Sequence, residues 1–130
     1  MEEQIISFET AVLAKEKGFE KESFDYYSEK GELLYDNEFN SYGAFQGTKL
    51  GNYIDAPTQS LLQKWLREKY NIGVMLFFSA NYKYGYYIHN MKSNYIHEDT
   101  KYRLYHKGDI NTYEEALEKG LIEALKLIKL

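Results

Sequence analysis

Thr112 and Glu115 make a T-x-x-E pair at the head of residues 113–130, where Leu117, Leu121, Ala124, Leu125 and Ile128 recur at spacings of three and four. The pair is a capping box, in which the threonine hydroxyl accepts from the backbone N–H three residues on. The spacing predicts an amphipathic helix over 113–130 with a single apolar face. A helix of this kind gains its stability by burying that face, so a second layer must lie against it. Gly120 falls beside the stripe and permits a close approach to that layer. Glu114, Glu115 and Glu118 near the start and Lys126 and Lys129 near the end suit the helix dipole. Glu115 and Lys119 form an i, i+4 pair, so these charges read as solvated surface.

The second layer is predicted upstream. Ile72-Gly73-Val74-Met75-Leu76-Phe77-Phe78-Ser79 is a continuous apolar run of strand length, expected to be a central strand covered on both faces. Asn81 marks a turn. Residues 83–89 then alternate, with Tyr84, Tyr86 and Ile88 on one face and Lys83, Tyr87 and His89 on the other, where Gly85 leaves a gap. Residues 101–107 alternate again and predict a last strand, after which Gly108-Asp109 turns the chain.

Pro57 and Thr58 open a helix over residues 59–70, with Leu61, Leu62, Trp65, Leu66 and Tyr70 on its apolar face and Asn71 as its stop. An earlier helix is capped by Ser7, carries Phe8, Ala11, Val12 and Ala14, and stops at Gly18, with Phe19 folding back over its end. Short strands over 24–27 and 32–35 flank Ser28-Glu29-Lys30-Gly31, a hairpin turn. Residues 36–56 form a long Gly- and Asn-bearing loop. Its aromatics (Phe39, Tyr42, Phe45, Tyr53) argue against plain disorder, and a short strand is expected near 49–54. With no repeat and no linker composition, residues 1–130 are expected to form a single α+β domain. About three helices pack on a mainly antiparallel sheet, in the order α-β-β-loop-α-β-β-β-α.

Composition removes several functions. There is no Cys, so a disulfide framework, a thiolate zinc site and a Cys nucleophile are excluded. The net charge of −4 argues against the broad basic footprint of a duplex nucleic-acid binder. No run approaches the ~18 apolar residues of a membrane helix. The acidic start Met1-Glu2-Glu3-Gln4 does not read as a signal peptide.

Catalytic motifs are weak. Gly43, Gly47 and Gly51 recur every four residues around Thr48-Lys49, but a phosphate-binding P-loop needs a longer spacing and the reverse order of Lys and Thr. No G-x-S-x-G is present. His89, His97 and His106 surround the second hairpin. With Glu98 or Asp99 two of them would suit a metal, yet no spacing matches a known zinc pattern and none is expected. No cofactor is called for.

One window stands apart. Between residues 82 and 107 Tyr alternates with cations, and five basic residues (Lys83, Lys92, Lys101, Arg103, Lys107) outnumber two acids (Glu98, Asp99). The chain holds 14 Tyr and is 17% aromatic. Tyrosine combines an apolar face with a polar tip and is enriched at interfaces. The candidate binding residues are therefore Lys83, Tyr84, Tyr86, Tyr87, His89, Tyr102, Arg103, Tyr105 and His106. The plainer reading is an ordinary sheet with Tyr half exposed and Lys guarding its edge.

Three helical stretches resemble small bacteriophage- and prophage-encoded proteins without an assigned activity. They are Ile6-Ser7-Phe8-Glu9-Thr10-Ala11; residues 56–68 (Ala56-Pro57-Thr58-Gln59 to Trp65-Leu66-Arg67-Glu68) with Asn71-Ile72; and residues 113–121 with 123–128. The resemblance implies a phage accessory protein in the cytoplasm of an infected or lysogenic host, and it transfers no functional residue. Combined with the aromatic and basic window, it leads us to expect a non-enzymatic binding protein. Its partner would be a host protein, a defence component among them, or a small anionic ligand such as a nucleotide. The alternatives are a small hydrolase using His and carboxylate groups, and a homo-oligomeric structural or assembly protein.

Overall fold

Ser7 caps the first helix, α1 (Phe8–Glu16), by accepting from the Thr10 N–H at 3.2 Å. After α1, the Phe19 N–H turns back onto the Ala14 carbonyl and its side chain is buried. This is a computed structural model, and it describes residues 4–19, 25–35, 53–79, 81–90, 104–105 and 108–129. The chain divides into two compact units, residues 1–58 and 59–130.

In the first unit, β1 (Asp25–Tyr27) lies between β2 (Leu33–Tyr35) and β3 (Ile54–Asp55), antiparallel to both. The β1–β2 hairpin turns through residues 28–31 as its residues predict. The Ser28 N–H donates to the Glu32 carbonyl and the Gly31 N–H to the Ser28 carbonyl, each at 2.9 Å. Strand β3 meets the strand expected near residues 49–54 only at Ile54, and residues 49–52 of that expectation lie outside the described residues. Tyr26 and Tyr27 are buried. The Tyr27 hydroxyl donates to the Ile6 carbonyl at 2.6 Å, and its ring meets Phe8 edge-on. Residues 36–52 of the expected loop lie outside the described residues.

In the second unit, α2 (Gln59–Tyr70) ends at Asn71, which takes the left-handed conformation (φ +58°) that terminates helices. Then come β4 (Ile72–Phe78), β5 (Tyr84–Asn90), β6 (Leu104–Tyr105) and α3 (Tyr113–Lys126). The sheet order is β4-β5-β6, all antiparallel. The fold is thus α+β, with helices on antiparallel sheet, in the order read from the sequence.

Two expectations change. Among the described residues β4 pairs with β5 alone, so β5 and not β4 is the middle strand. Nor is β4 covered throughout: Met75 is 43% and Phe78 56% exposed. A continuous apolar run does not distinguish a strand buried on both faces from one whose apolar residues are displayed. The last helix also stops at Lys126 rather than continuing to 130. The N–H groups of Leu127 and Ile128 bond three residues back, to Ala124 and Leu125, which tightens the helix end.

α3 lies on β4 and β5, and α2 packs on β4 and α3. The core between them is Leu62, Trp65, Leu66, Val74, Tyr86, Ile88, Leu117, Leu121, Ala124 and Leu125. Gly120 makes the close approach its sequence position suggests: a β-carbon there would lie 2.8 Å from Val74 Cγ1. Buried Gln59 donates to the Glu114 carbonyl and the Glu118 carboxylate, tying the start of α2 to α3. No helix among the described residues is long and apolar enough to cross a membrane.

Candidate functional site

The β4–β5 turn repeats the hydrogen bonding of the β1–β2 turn. The Ser79 N–H donates to the Lys83 carbonyl at 2.7 Å, and the Tyr82 N–H to the Ser79 carbonyl at 3.1 Å. Such a three-residue hairpin loop places its last residue in the left-handed region, usually as glycine. In the first hairpin that residue is Gly31 (φ +88°). In the second it is Tyr82 (φ +65°), 80% exposed. A bulky side chain there costs roughly 1–2 kcal/mol from contact between Cβ and the following carbonyl.

A strap of residues 108–112 fixes the turn. Ile110 and Tyr84 exchange both backbone hydrogen bonds, at 2.7 and 2.9 Å, which puts the strap on the side of β5 opposite β4. Gly108 crosses directly over Gly85: a β-carbon on Gly85 would lie 2.8 Å from Gly108 Cα and would run into the Phe77 ring. The Ser79 hydroxyl sits against Asn81 Oδ1 and against the carbonyls of Lys83 and Gly108, at 2.9 and 3.0 Å. It has one proton to donate among these acceptors. The Lys83 ammonium donates to Asn111 Oδ1 at 2.5 Å. The Thr112 hydroxyl then accepts from the Glu115 N–H at 3.1 Å, and α3 begins with Tyr113.

This frame gathers four rings. Phe78 meets Tyr82 (centroids 6.1 Å apart, planes at 63°) and Tyr84 (5.0 Å, 59°), and Tyr84 meets Tyr113 edge-on (6.0 Å, 87°). Phe78, Tyr82 and Tyr113 are all exposed, Tyr113 by 47%. The described charged residues along the strap and first helical turn are the exposed acids Asp109, Glu114 and Glu115, and Lys83 stands at the end of the β4–β5 turn.

The candidate residues read from the sequence separate. Tyr84 belongs to this cluster, and the Lys83 side chain bonds to Asn111 on the strap. Tyr86, on the same sheet face as Tyr84, is only 8% exposed and packs beneath α3. Burial pushes the pKa of its hydroxyl above the usual 10.0, and the Glu123 carboxylate adds to the shift. Tyr87 and His89 face the other way. Tyr87 stacks on Phe77 (6.4 Å, 28°) and tilts against His89 (5.8 Å, 34°), beside exposed Met75. Tyr105 pairs with Tyr87 in the sheet register. Its side chain, and Tyr102, Arg103 and His106, lie outside the described residues. So do His97, Glu98 and Asp99. Among the described residues no group of three His, Asp or Glu could hold a metal ion.

Three members of the cluster were not among the candidates. Phe78 is hidden in an apolar run that reads as core. Tyr113 follows a helix cap, where a side chain has little helix surface to cover. Tyr82 stands next to Asn81, the residue type that a turn would be built on. The chain matches no family model, no curated protein and no solved structure.

Proposed function

We propose that this chain is a non-enzymatic binding protein that engages its partner through the rings of Phe78, Tyr82, Tyr84 and Tyr113. The observation that carries the reading is Tyr82. Among the described residues it is the most exposed of the large apolar side chains, and it is held in a backbone conformation that the same chain gives to glycine in its first hairpin. Strain of this kind persists where something other than stability retains the residue. Exposed aromatic clusters on a rigid frame are the usual anchors of protein interfaces.

The partner in this proposal is a host protein, a defence component among them, and the setting is the cytoplasm of an infected or lysogenic bacterium. That part rests on the resemblance of the helical blocks to phage proteins. A small anionic ligand is less well matched to this cluster, because its described charged neighbours along the chain are three exposed acids, Asp109, Glu114 and Glu115, against one cation, Lys83. A photo-crosslinking phenylalanine analogue tests the reading when placed at position 113 and, as a control, at exposed position 64 on α2. In bacterial lysate, position 113 is expected to give a discrete adduct that position 64 does not. Identical adducts from both positions, or none from 113, would overturn the proposal.

A further inference from the structure

We infer that the aromatic cluster takes a basic segment of its partner, an arginine or lysine side chain seated on the rings of Phe78, Tyr82, Tyr84 and Tyr113. The inference rests on the binding role proposed above and adds the chemistry of the occupant.

Three observations point to a cation. Ring faces carry the negative part of the aromatic quadrupole and attract ammonium and guanidinium groups within about 6 Å. The charged residues beside the rings in sequence are the exposed carboxylates of Asp109, Glu114 and Glu115, which outnumber the one ammonium there, that of Lys83, a donor to Asn111 at 2.5 Å.

The third observation is an internal precedent. On α2, Trp65 and Tyr70 form an edge-to-face pair with centroids 5.3 Å apart. The Lys69 ammonium lies over both rings, 5.7 and 5.8 Å from their centroids. Tyr84 and Tyr113 repeat that ring arrangement at 6.0 Å and 87°, with Tyr113 open to solvent. A proline-rich segment also packs on aromatic rings, but it makes no use of the carboxylates.

The test uses the full chain labelled with nitrogen-15 and three synthetic six-residue peptides of alternating sequence: Arg-Gly, Glu-Gly and Pro-Gly. The Arg-Gly peptide is expected to shift the amide signals of Phe78, Tyr82, Lys83, Tyr84 and Tyr113, and the other two to leave them in place. Tyr82→Ala should weaken the Arg-Gly interaction about fivefold, the equivalent of about 1 kcal/mol for one ring. Arg-Gly shifts scattered over other acidic residues, or unchanged affinity in Tyr82→Ala, would overturn the inference. Shifts of the cluster by Pro-Gly or Glu-Gly alone would also overturn it while leaving the cluster a binding surface. No shift from any peptide rejects the basic occupant, and the crosslinking at position 113 then decides the binding role separately.

Discussion

Gly31 and Tyr82 occupy the same left-handed position in two hairpin turns that share one hydrogen-bond pattern, with φ of +88° and +65°. Each turn starts at a serine, Ser28 or Ser79, whose N–H and carbonyl close the loop. The chain therefore contains its own control for what a side chain costs there. Replacing glycine in the first turn adds strain, and replacing tyrosine by glycine in the second removes it. Gly31→Ala is expected to lower the unfolding free energy by about 1 kcal/mol, since its β-carbon would also meet the Phe8 ring at 3.3 Å. Tyr82→Gly is expected to leave stability unchanged or raise it by up to about 1 kcal/mol, the relieved strain being partly offset by the freer unfolded chain. Urea unfolding of both variants checks the pair.

Gly85 is needed because the backbone of Gly108 passes directly over it. An added methyl would sit 2.8 Å from Gly108 Cα and 2.9 Å from its nitrogen, where only movement of the strap can make room. Gly85→Ala should cost about 2 kcal/mol, in the range of core overpacking. It should also displace Ile110 from its pairing with Tyr84. Faster hydrogen exchange at the Tyr84 and Ile110 amides would report that displacement.

Tyr86 gives a pH dependence. Burial, helped by the Glu123 carboxylate, disfavours its phenolate in the folded chain, so its pKa lies above 10.0 when folded and near that value when unfolded. The unfolded chain then loses this proton first. The contribution is complete below about pH 10 and is lost as pH rises above it. Across pH 8 to 11, wild type should lose stability relative to Tyr86→Phe once pH 10 is passed. Parallel curves for the two proteins would contradict the assignment.

Where local chemistry decides structure, the sequence is readable. The Ser7 and Thr112 caps, the Asn71 stop, the turn at residues 28–31 and the stripe of α3 all depend on neighbours within a few residues, and all are found. Alternation read along residues 83–89 separates Tyr84 and Tyr86 from Tyr87 and His89, as the strand places them. Which of the two faces the helices would cover depends on packing between distant segments. For that reason Tyr86, offered as a binding residue, turns out to be core. Phe78 and Tyr113 are brought together through Tyr84, and the Ile110 bridge that positions them spans more than twenty residues of chain. No spacing rule encodes such a pairing. Tyr82 escapes for a different reason: its position breaks the residue preference by which such a turn is recognised.

The central claim is that Tyr82 is kept for display at a cost to the fold, and Tyr82→Gly separates those two quantities in one protein. Its folding stability and its capture of the species crosslinked from position 113 should be measured together, at equal folded fraction. The account predicts stability at or above wild type with capture reduced about tenfold, as for loss of an interface anchor. Capture equal to wild type, or stability falling by more than about 1 kcal/mol as for loss of an ordinary packed aromatic contact, would contradict it.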